Sequence, residues 1–126
     1  MPHLVMEYSN SAEDRLNMQG LLEDLHQVAI ASGLFSAKDV KSRAVRVHSW
    51  LVGEQGNSVD FIHITLELLE GRSSEQKREL SRALMDVLAE QASHIDSLTI
   101  NVRDMEHESF QKNRLELSSY LMLRII

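Results

Sequence analysis

Apolar and polar residues alternate with period two over 59–68. Ile62, Ile64, Leu66 and Leu68 fall on one face and Phe61, His63, Thr65 and Glu67 on the other, which predicts a strand. The period then lengthens: Leu80, Ala83, Leu84, Val87, Leu88 and Ala92 recur at helical spacing with charges between them. The two patterns meet in Leu69-Glu70-Gly71-Arg72-Ser73-Ser74-Glu75-Gln76-Lys77. Gly71 permits a sharp turn. Ser73 and Gln76 have capping-box spacing, so the helix starts there. Arg72 thus lies between a strand end and a helix N-terminus, where the helix dipole disfavours a cation. Together with the backbone N–H groups of the helix start, it makes a place for a carboxylate.

The same alternation predicts a first strand over 2–9, with Leu4, Met6 and Tyr8 opposite His3, Val5 and Glu7; proline is tolerated at a strand's first position. Ser11 and Asp14 have capping-box spacing and open a helix whose buried face is Leu16, Leu21, Leu22, Leu25, Val28 and Ala29. Gly20 inside it costs roughly 1 kcal/mol against alanine, so its first turns are expected to be irregular. Gly33 is placed to end it as a left-handed residue. A second strand is predicted over 40–52, with Arg43, Val45, Val47 and Leu51 on one side and Ala44, Arg46, His48 and Trp50 on the other. A turn at 53–58 predicts that it forms a hairpin with the strand at 59–68. A fourth strand is predicted over 96–103, a polar irregular stretch over 104–114, and a final strand or packed tail over 115–126.

The order is strand, helix, strand, twice over. The expected fold is α+β: one domain of duplicated β-α-β units, halves about 1–57 and 58–126, with a four-stranded sheet and both helices on one face. The other face would carry Val5, Val45, Val47 and Phe61 among His3, Glu7, His63 and Glu67, with no further layer to cover it. Such a face predicts a homo-oligomer with its sheets facing one another.

Composition narrows the chemistry. The net charge of −6 argues against a nucleic-acid surface. No cysteine is present, so there is neither a disulfide framework nor a thiol nucleophile. No apolar run spans a membrane and no signal peptide precedes the first strand, so a soluble cytoplasmic protein is expected. His3, His48 and His63 show no compact metal spacing. The one proline, Pro2, follows Met1, and removal of Met1 would leave a free proline amine.

The stretch from Leu69 to Lys77 resembles the opening of the helix in 4-oxalocrotonate tautomerase, a family that begins with a catalytic proline. A duplicated unit with a single proline resembles the 5-carboxymethyl-2-hydroxymuconate isomerase family of the tautomerase superfamily. Pro2-His3, Gly33-Leu34-Phe35, Ser42-Arg43, Gly71-Arg72-Ser73 and Phe110-Gln111-Lys112-Asn113 carry that resemblance, which runs to about Asn113. Lys41 stands where the family has an arginine thought to help bind substrate. Lysine keeps the charge and loses the bidentate fork.

The resemblance implies a homotrimer that needs no cofactor and no metal and moves a proton along a small carboxylated dienol. Pro2 is then the general base, Arg72 binds a carboxylate and stabilises the developing dienolate, and Lys41 and Arg43 are candidates for the other carboxylates. A smaller 2-hydroxydienoate or phenylpyruvate-like enol is the alternative substrate. An inactive trimeric binding protein is the alternative of another class, favoured if Met1 stays attached and Pro2 nitrogen remains an amide.

Overall fold

A computed structural model describes residues 1–113 and Leu115. Strand β1 is His3–Ser9, β2 is Lys41–Val47, β3 is Phe61–Leu69 and β4 is Ser97–Met105; helix α1 is Met18–Ala31 and α2 is Ser74–Gln91. The strands form one sheet in the order β2-β1-β3-β4. β1 runs parallel to β2, β3 parallel to β4, and the two central strands, β1 and β3, are antiparallel. Each parallel pair is joined through a helix, as a parallel connection requires.

The period-two pattern sorts the central strands as expected. Leu4, Met6 and Tyr8 of β1 and Ile62, Ile64, Leu66 and Leu68 of β3 are buried against Leu21, Leu25, Leu80, Leu84 and Leu88 of the helices. Leu16, Leu22 and Val28 pack at the margin of this core. Both helices therefore cover one face. The opposite face carries the half-buried His3, Val5 and Glu7 of β1 beside Phe61, His63, Thr65 and Glu67 of β3.

Four local expectations are corrected. The predicted hairpin between the second and third strands does not form, because β1 lies between β2 and β3. Strand β2 ends at Val47, and the chain beyond it closes on itself: Val52 N–H donates to Gly56 C=O at 2.8 Å, and Trp50 Nε1 donates to Val59 C=O at 2.9 Å. The first helix does not open at Ser11. A single 3-10 turn occupies Asn10–Asp14, and α1 begins only after Asn17, whose side chain accepts from Gly20 N–H at 3.0 Å. Ser11 instead turns its hydroxyl to the carboxylate of Asp60, which also accepts from the buried Ser9 hydroxyl at 2.7 Å. That buried carboxylate competes successfully for the serine, and Asn17 takes over the cap. Strand β4 runs two residues past its expected end. The expected strand or tail over 115–126 falls, apart from Leu115, outside the described residues.

Candidate active site

The turn between β3 and α2 forms as the sequence predicts. Gly71 takes a φ of 126°, where a side chain would be strained. Ser73 and Gln76 make a reciprocal capping box: Ser73 Oγ accepts from Gln76 N–H at 3.1 Å, and Gln76 Oε1 accepts from Ser73 N–H at 2.9 Å. This closes two of the amides expected to join Arg72 around a carboxylate. Arg72 turns the other way, toward the loop after α1. It donates to Leu34 C=O at 2.7 Å and Leu69 C=O at 3.3 Å, with its guanidinium carbon 5.1 Å from the centroid of the Phe35 ring. Two main-chain carbonyls and an aromatic face thus fix the cation.

Pro2 is fully buried, and its carbonyl accepts from Lys41 N–H at 3.1 Å. The register His3↔Glu67 sets Pro2 beside the last residues of β3, and His3↔Lys41 sets it beside the first residue of β2. Pro2, Lys41 and Arg72 therefore gather at one end of the sheet. Gly33, with φ of 74°, ends α1 and sends Leu34 and Phe35 toward the same end.

Arg43 lies one residue pair further along. Its guanidinium donates to His3 Nδ1 at 3.1 Å, not to Glu7 or Glu67 as a sheet pairing would suggest. The Lys41 ammonium donates to Asp39 C=O at 3.2 Å. Burial, and then the charges of Arg43, Lys41 and the chain's amino terminus, hold His3 below its ordinary value of 6.5, against the pull of Glu67. Of the candidate residues, Arg72 is half-buried and anchored, whereas Lys41 and Arg43 are exposed.

Two further cations approach this end from outside the motif. Lys38 belongs to the 3-10 turn Ala37–Asp39, and Lys112 follows β4 and reaches Asp39 at 3.2 Å. Lys112 falls within Phe110-Gln111-Lys112-Asn113, which carries the resemblance without giving this lysine a role, and Lys38 is a lysine in a polar surface stretch that no pattern singles out. Among the described residues, no group of three or more His, Cys, Asp or Glu side chains could hold a metal ion.

Known proteins resemble this chain in sequence and fold. The family model of 5-carboxymethyl-2-hydroxymuconate isomerase matches residues 2–118. The 5-carboxymethyl-2-hydroxymuconate Delta-isomerase of Escherichia coli is 25% identical over 88 residues, which are 70% of either chain. The crystal structure of a 5-carboxymethyl-2-hydroxymuconate isomerase from Deinococcus radiodurans R1 has a TM-score of 0.82 at 25% identity, covering 94% of this chain and 93% of that one. A fused 4-OT, described as a symmetric trimer, shares the fold with a TM-score of 0.69 at 16% identity, over 84% of this chain and 88% of that one.

Proposed function

Because the chain belongs to the 5-carboxymethyl-2-hydroxymuconate isomerase family and is an isomerase, we propose that it converts 5-carboxymethyl-2-hydroxymuconate to its 2-oxo-3-ene isomer. The setting is the cytoplasmic breakdown of aromatic acids such as homoprotocatechuate. The observation that carries this reading is the meeting of Pro2, Lys41 and Arg72 at one end of the sheet.

With Met1 removed, Pro2 offers a secondary amine whose pKa starts near 8, lower than that of lysine. Its burial, and the cations of Lys41 and Arg72 at the same end, disfavour the charged form and lower that value further. The neutral amine takes the proton of the substrate's 2-hydroxyl and returns one at carbon, at the far end of the diene. Electrons move only within the substrate, so the reaction is redox-neutral and calls for no cofactor. Arg72, held by the carbonyls of Leu34 and Leu69, binds a carboxylate and stabilises the dienolate as charge develops on it. Lys41 and Arg43 serve the remaining carboxylates. The half-buried face of the sheet supports a homotrimer in which three such faces meet.

Intact mass of the purified protein, paired with a tautomerase assay, tests this. A mass lacking one methionine and turnover of 5-carboxymethyl-2-hydroxymuconate are expected. Pro2→Ala and Arg72→Ala should each lower kcat/KM by a factor on the order of 100 or more. A protein without Met1 that turns over only a smaller 2-hydroxydienoate or a phenylpyruvate-like enol would transfer the assignment to that substrate. The single charge of Lys41, in place of a fork, is the feature that favours this second reading. Silence toward all these enols would leave a trimeric binding protein.

A further inference from the structure

Lys38, Lys41 and Lys112 line one cavity of about 340 Å3, together with Asn113 and Leu115. The three lysines come from separate parts of the chain: the turn before β2, the first residue of β2 and the segment after β4. Like charges brought together this way repel, and an anion between them relieves that repulsion. Asp39 supplies part of that offset. Its carboxylate takes Lys112 at 3.2 Å and its carbonyl takes the Lys41 ammonium at 3.2 Å. Among the described residues, one carboxylate against three ammonium groups leaves the cavity cationic. Lys41 links it to the strand that carries the buried proline, since Lys41 N–H donates to Pro2 C=O.

We propose that this cavity is a carboxylate subsite, and that Lys38 and Lys112 set the enzyme's preference for a substrate with a carboxylate on a flexible arm. The proposal rests on the reading of Pro2 as the reacting centre. The two cationic groups at this end differ in kind. Arg72 offers a rigid planar fork clamped by Leu34 and Leu69, which suits a carboxylate held in plane with the conjugated system. The cavity offers ammonium groups on flexible stems, which act as point charges and accept a carboxylate in many orientations. A carboxymethyl arm rotates freely about its methylene and needs that tolerance. The loop that holds Arg72 through Leu34 also carries Lys38 and Asp39, so one segment positions both groups.

The test compares wild type with Lys38→Gln, Lys112→Gln and the double variant. Glutamine keeps the polar stem and removes the charge. The KM for 5-carboxymethyl-2-hydroxymuconate should rise about tenfold in each single variant and further in the double one, with kcat nearly unchanged. The KM for 2-hydroxymuconate, which lacks the arm, should stay within about twofold. Lys77→Gln is the control, since Lys77 pairs with Asp104 outside the cavity and should leave both constants unchanged. Equal losses on both substrates, or no loss on either, would overturn the subsite. Calorimetric titration with propane-1,2,3-tricarboxylate reads the cavity without turnover. Its affinity should fall about tenfold or more in the double variant, and an unchanged affinity overturns the subsite even if the enzyme is active. A wild type that binds the tricarboxylate through these lysines but turns over neither enol would sink the Pro2 reading and keep the subsite.

Discussion

His3 shows what a single contact can fix. Arginine has donors only, so the 3.1 Å contact from Arg43 makes His3 Nδ1 an acceptor and places the ring proton on Nε2. Protonation of the ring would remove that acceptor. With its pKa held below 6.5 by burial first and Arg43 next, His3 binds fewer protons in the folded chain than in the unfolded one. Its contribution to stability is present above about 6.5 and is lost as the pH falls toward the folded value. An NMR titration should find the His3 midpoint below 6.5 in the folded protein, and Arg43→Ala should move it upward. No movement would remove Arg43 as a cause. At this scale the sequence was uneven as a guide. Pro2 and Arg72 stand out because a turn motif and a strand start surround them. Lys38 has no local signature and nothing around Lys112 pairs it with Lys38, 74 positions away; only the folded chain sets the two in one cavity.

Among the elements, α2 was readable to the residue because its capping box is a local device. Both partners lie within one turn, and nothing else competes for them. Ser73→Ala should cost about 1 kcal/mol and lower Tm, read by thermal unfolding. Gly71→Ala should cost roughly 1–3 kcal/mol, since no L side chain is comfortable at that φ. The start of α1 was not readable because a distant group decides it. Ser11 and Asp14 have the same spacing as Ser73 and Gln76, yet Asp60 captures Ser11 across 49 positions. Asn17→Ala should therefore destabilise α1 by about 1 kcal/mol, whereas Ser11→Ala should disturb the Asp60 cluster and leave helix content unchanged by circular dichroism. The missing hairpin has a similar origin. The turn at 53–58 is real, but the neighbour of β3 is chosen by the antiparallel fit of His3–Ser9, which no window around the turn contains.

For the whole molecule, the sheet face away from the helices is where the proposed trimer is tested. Val5 and Phe61 alternate there with His3, Glu7, His63 and Glu67, and His63 hydrogen-bonds Thr99 across the strands at 2.6 Å. Such a mixed face fits contact with copies of itself, where polar groups find partners and apolar ones lose water. Sedimentation equilibrium should return three times the chain mass, and Val5→Lys should shift it toward one. A monomeric wild type would overturn the trimer. The layer order, helices on one side and this face on the other, could be read from two periodicities alone, because each is set by neighbours along the chain.

Arg72 takes its direction in the loop after α1 from the Leu34 carbonyl, with the Phe35 ring beside it. A substitution at position 34 keeps that carbonyl and costs only the side chain's packing against the core, so an alanine scan would read it as a stability effect alone. A one-residue insertion between Gly33 and Lys38 would do what no substitution does: it would slide the Leu34 carbonyl out from under the guanidinium. Among homologues this loop should hold its length more strictly than its letters outside Leu34 and Phe35.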